Sequence, residues 1–111
     1  MKASVVLAAV RRQIRDETGN PRWLDPVLFN YMTDGTRQIL ALRPAAGFNA
    51  SVGRITVTNI NNGNADIQVT DDYANALMHY VCGRAFAEDA EDAANLTLAR
   101  EHYALYSREM D

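Results

Sequence analysis

Apolar residues recur at three- and four-residue spacing along four stretches of this chain, and at two-residue spacing along one. Val6, Val10 and Ile14, with Ala3 and Leu7 beside them, form a helical stripe that predicts a first helix over residues 3–18. Thr18-Gly19-Asn20-Pro21 is its expected stop, because glycine accepts the left-handed position after a helix and proline cannot continue one. A second helix is predicted over 25–43. Asp25 is its expected cap, Pro26 has no N–H to lose at the first position, and Leu24 and Phe29 are spaced for a hydrophobic staple. Its stripe runs Leu28, Tyr31/Met32, Gly35, Ile39, Leu42. Glycine costs about 1 kcal/mol relative to alanine inside a helix, so Gly35 marks a close crossing with another backbone.

Ala74, Leu77, Met78, Val81 and Ala85 predict a third helix over 71–88, capped by Thr70 or Asp71. Leu96, Ala99, Tyr103, Tyr106 and Met110 predict a fourth over 92–108, starting at Asp92. The link from Glu88 to Asp92 is so short that these two helices must be antiparallel neighbours, Leu77 and Val81 facing Ala99–Tyr106.

Residues 44–53 read as a linker, and 54–70 as two β-type runs around Asn61-Asn62-Gly63. A three-residue turn there pairs Val57 with Ile67 and Ile55 with Val69, putting all four apolar side chains on one face, with Gly63 left-handed. Two strands alone are marginal in water, so this hairpin is expected to pack on the helices or on another subunit. The prediction is a mainly α, four-helix bundle-like domain of two helix pairs, with a small hairpin inserted between helices 2 and 3.

At 111 residues the chain is one domain, 1–111. No stretch approaches the roughly 18 apolar residues of a membrane span, and Arg11, Arg12 and Arg15 follow the short apolar N-terminal run without a cleavage site. A soluble protein made in a cytoplasm is expected. Net charge is −3, which argues against a sequence-independent nucleic-acid binder. The charge is also segregated. Residues 1–54 hold eight Lys/Arg against four Asp/Glu, and residues 55–111 hold three against ten. Such a split suits subunits that meet head to tail.

Candidate chemistry changes little. Glu-x-x-His pairs for a di-iron bundle are missing, since Ala76 and Ala99 stand three before His79 and His102. His79 and Cys82 make at most two metal ligands. Cys82 as a nucleophile would need an oxyanion donor that an apolar-striped helix does not offer. The tract around Gly63 has no phosphate-loop Gly-Lys-Ser/Thr. No catalytic, metal or cofactor residue is therefore assigned, and a non-enzymatic protein is expected. Trp23, Tyr103 and Tyr106 fit either an intramolecular core or interface anchors.

Asp72 to Asn95, with Tyr80, Arg84-Ala85, Glu88-Asp89-Ala90-Glu91 and Asn95, followed by Ala99, His102-Tyr103 and Tyr106, resembles tailed-bacteriophage head–tail connector (adaptor, head-completion) proteins. Arg15-Asp16, Arg22-Trp23-x-Asp25-x-x-Leu28, Gln38-Ile39 and Arg43-Pro44 agree with it. The resemblance covers about 80 of the 111 residues, the central hairpin excluded, on motifs that are helical-packing signatures. It implies a virion structural protein of the neck: a homo-oligomeric ring, usually dodecameric, beneath the portal protein, receiving tail or nozzle proteins. Genome DNA passes through such a ring without sequence-specific contact. Relatives grip the portal with a C-terminal tail, whereas here the fourth helix is predicted to end within a few residues of Asp111. Candidate interface residues are Arg11, Arg12, Arg15, Arg54, Asn61, Asn62, Gly63, Asp66, Glu88, Asp89 and Glu91. Trp23, Asp25, Leu77, Val81, Ala99, His102, Tyr103 and Tyr106 are expected to be structural. The alternative is a small cytoplasmic helical regulatory or antitoxin-like binding module.

Overall fold

The four apolar stripes become four helices in the computed structural model: α1 Ala3–Ile14, α2 Asp25–Leu42, α3 Ala74–Glu88 and α4 Ala93–Met110. The structure describes residues 1–15, 22–49, 53–54, 57–89 and 93–111, with only the backbone at 48, 49, 53 and 54.

α1 buries Ala3, Val6, Val10 and Ile14, as its stripe predicts, but ends four residues early. Arg15 is already left-handed (φ 54°), its N–H turned back onto the Arg11 and Arg12 carbonyls. Ile14 is the last apolar residue of the stripe. A further turn would bring Glu17 and Thr18 onto the buried face, so nothing favours extending the helix. The expected stop at Gly19 lies outside the described residues. A left-handed arginine carries strain that glycine does not, so Arg15→Gly should raise stability by about 0.5–1 kcal/mol in a thermal melt.

α2 starts where Asp25-Pro26 predicts, but not by the predicted means. Leu24 holds the capping position with extended backbone, and no side chain caps the first turn. Leu24 is 61% exposed while Phe29 is buried, so the staple does not form. The Asp25 carboxylate pairs instead with Arg11 of α1.

α3 begins as one 3-10 turn, Asp71–Tyr73, before the α-helix proper, and the Thr70 side chain does not cap it. α3 is central: it packs on α1, on α2 and most extensively on α4, so the domain is built round one helix and not as two separate pairs. Leu77, Val81, Cys82 and Ala85 are completely buried, among Val10, Leu28, Met32 and Ile39 of the neighbouring helices. Gly35 is a point of close approach to α3, but to its side chains and not to its backbone as expected. A Cβ there would stand 2.7 Å from both Leu77 Cδ1 and Tyr80 Cδ1. Gly83 does the same for the other seam, where a Cβ would lie 2.8 Å from the Tyr103 ring.

The hairpin expected over 54–70 is not found among the described residues. Among the described residues the only paired strands are two-residue segments upstream, β1 Phe48–Asn49 and β2 Gly53–Arg54, with Phe48 opposite Arg54. Residues 57–70 instead form a strap across the start of α1. Ile67 N–H donates to the Met1 carbonyl, Ala3 N–H to Ala65 and Ser4 N–H to Gly63. Lys2 and Asp66 make an isolated antiparallel bridge. Gly63 is not left-handed; it is tightly placed against Ser4, whose Cβ a Gly63 Cβ would approach to 3.2 Å. The physical reason is burial. Ile60, Ile67 and Val69 go into the helical core, which a free two-stranded hairpin could not offer them. Side chains take over part of the missing ladder: Ile60 N–H donates to Thr33 Oγ1 and Thr58 N–H to Gln68 Oε1. Ile55 lies outside the described residues. Among those described, no helix is long and apolar enough to cross a membrane.

Candidate functional site

The last turn of α3 leaves carbonyls without intrahelical partners, as every helix end does. Asp89 N–H closes onto Phe86, three residues back, and so does not satisfy Ala85. The Trp23 indole N–H donates to the Ala85 carbonyl instead, at 3.1 Å. The Trp23 ring meets Phe86 edge-on, centroids 5.8 Å apart. Arg22, which also lies over the Trp23 ring, pairs with the Asp89 carboxylate. The Asn95 amide, from the first turn of α4, donates to the Asp89 carboxylate at 2.7 Å and to its carbonyl at 3.2 Å. A cation near the C-terminal end of α3 is also favoured by the helix dipole.

Arg11 ties α1 to the same junction. It donates to the Trp23 carbonyl at 3.0 Å and pairs with Asp25, its side chain only 13% exposed. Arg11 is therefore structural, not the free interface cation expected from the charge split, whereas Arg12 and Arg15 are exposed. Arg11→Glu should lower stability by about 1–2 kcal/mol, through a partly buried hydrogen bond lost and a like charge set against Asp25. Arg12→Glu should stay within about 0.5 kcal/mol of the wild type in the same denaturant titration.

Beside the junction lies an open groove of about 770 Å³, walled by Ile14 and Arg15 of α1, Trp23, Phe86, and Leu98 and His102 of α4. Phe86 stacks on His102, centroids 5.8 Å apart. His102 in turn meets His79 across the α3–α4 seam, Nδ1 to Nδ1 at 3.1 Å. That contact was missed in the sequence, although folding the chain about the predicted 88–92 link sets residue 79 opposite residue 101. Burial lowers the pKa of both rings, and His79 lowers that of His102 further. Burial pushes the Cys82 thiol up to about 12, so it stays protonated and unreactive. Among the described residues no three His, Cys, Asp or Glu side chains could hold a metal ion.

A second cluster forms on the α2–α3 face. Arg84 lies 4.8 Å from the Tyr31 ring centroid, donates to Tyr80 Oη at 3.1 Å, and faces Asp34 at 3.5 Å and Glu88 at 3.8 Å. Tyr80 contacts Tyr103 and Tyr106 edge-on, which makes those two tyrosines part of the packing. Burial raises the pKa of Tyr31, Tyr103 and Tyr106.

The candidate interface residues scatter. Asn61, Asn62 and Glu88 are exposed, and Asp66 is exposed but paired with Lys2 at 3.0 Å. Gly63 is half-buried on Ser4, and Asp89 belongs to the junction. Glu91 and the Arg54 side chain lie outside the described residues. Part of the charge split is satisfied within the subunit, by Lys2–Asp66, Arg22–Asp89 and the N-terminal ammonium on Asp71. No family model, curated protein or solved structure matches this chain.

Proposed function

We propose that this chain is a virion structural protein without catalytic activity, a head–tail adaptor that forms a ring beneath the portal and joins the DNA-filled capsid to the tail. One observation supports the reading beyond the resemblance itself. The residues that carry the resemblance come from two stretches some sixty positions apart, yet they meet in one contact network. Arg22, Trp23 and Asp25 from the first stretch engage Ala85, Asp89 and, through Arg11, the end of α1. Asn95 and His102 from the second complete the same junction. Packing signatures that converge in space are those a shared fold would require.

On this reading the ring contacts fall on the exposed ends of the charge split. Arg12 and Arg15 of one subunit meet a carboxylate-bearing face such as that of Glu88 on the next, and the strap around Asn61 and Asn62 faces neighbours or tail proteins. The test is localisation. Antibody labelling of purified virions should place the chain at the neck, between capsid and tail. Its absence from virions would contradict the reading.

A further inference from the structure

We propose that the His79–His102 contact is a proton-operated latch on the α3–α4 seam, closed while the two rings carry at most one extra proton between them and opened by the second. The inference is independent of the adaptor reading.

The geometry is restrictive. The two Nδ1 atoms stand 3.1 Å apart, a distance that holds one hydrogen between them. In the neutral pair one ring donates from Nδ1 and the other accepts. In the singly protonated pair an imidazolium donates to a neutral ring, which is a stronger, charge-assisted bond. In the doubly protonated pair two N–H groups point at each other and two positive charges face across that gap. The contact cannot survive this.

The surroundings set where this happens. His102 is 8% exposed and stacked on Phe86, which leaves little water to solvate a charge. On α4, Glu101 favours the protonated form of His102 and Glu109 that of His79, but burial outweighs both. On α3 the neighbours are Met78 and the uncharged Cys82 thiol. Across the groove stand Arg15 from α1 and Arg22 ahead of α2, both cations and neither a partner for an imidazolium. With folded pKa values below the ordinary 6.5, the unfolded chain binds more protons between 6.5 and those lower values. The stabilisation is therefore complete above about pH 6.5 and is lost as pH falls towards the folded values. Because His102 and Phe86 wall the groove, opening the latch loosens that wall.

The experiment is an NMR titration of both imidazoles in the full chain from about pH 8 to 4.5, on wild type and His79→Gln. In the wild type the pair should titrate in two steps separated by about one pH unit or more. In His79→Gln the His102 step should move up, and acid-induced amide exchange along α3 and α4 should fall several-fold relative to wild type. Two imidazoles that titrate together near the ordinary value in the wild type would overturn the latch, and this arm stands even if the variant does not fold. A His102 step and an exchange profile unchanged by His79→Gln would overturn it equally.

Discussion

Gly83→Val is expected to lower the free energy of unfolding by about 3 kcal/mol, and the melting temperature by about 12 °C. A Cβ at residue 83 would already lie 2.8 and 2.9 Å from two carbons of the Tyr103 ring, and a ring edge cannot bend out of the way as a methyl tip can. Tyr103 is held in turn by edge-on contact with Tyr80. The α3–α4 seam must therefore widen, and the buried Ala99 and Tyr106 with it. Against a total stability of about 5–15 kcal/mol such a loss is large. Tyr103→Ala in the same chain should return part of it, since the two positions share one contact. A Gly83→Val protein that melts with the wild type would mean the seam is not packed as described.

Trp23→Ala is expected to cost about 3 kcal/mol, and Trp23→Phe about 1–2 kcal/mol, in chemical denaturation. The alanine variant loses the Phe86 contact and the indole together, while phenylalanine keeps a ring but leaves the Ala85 carbonyl without its donor. The loss in the phenylalanine variant reads mainly the hydrogen bond, and the further loss in the alanine variant reads the ring packing on Phe86. A phenylalanine variant as stable as the wild type would show that the indole N–H contributes nothing and that Trp23 acts by packing alone.

Both seams show what the pattern of residues could and could not reveal. Helix positions were legible because each stripe has one dominant period, and the bounds of α2, α3 and α4 fall within about three residues of expectation. Gly35 was legible as a close approach because a glycine inside an apolar stripe has no local reason to be there. Gly83 lies off the stripe of Leu77, Val81 and Ala85, so the apolar period does not mark it as a close approach. The caps failed for a different reason. Asp25 and Leu24 have the right spacing for local motifs, but Arg11, fourteen residues away, takes the carboxylate, and Leu24 stays exposed while Phe29 is buried. The hairpin failed in the same way, since alternation describes Ile67 and Val69 equally well when their partner is the N-terminal segment. A local pattern fixes a residue's face; only the whole fold fixes what meets that face. The candidate site was least legible of all, because Trp23–Ala85 and His79–His102 each join residues far apart in sequence.

With Arg11 taken into the junction and Lys2 and Arg22 paired within the subunit, Arg12 and Arg15 remain as the exposed cations of the α1 end among the described residues. Head-to-tail association, if it is electrostatic, should weaken with salt as exposed pairs do.

The most direct test of the adaptor reading is to mix the purified chain with its cognate portal protein and image the mixture by electron microscopy. The account predicts a ring of copies seated beneath the portal and a continuous channel through both. Portal particles that stay bare at saturating concentrations of the folded chain would contradict it.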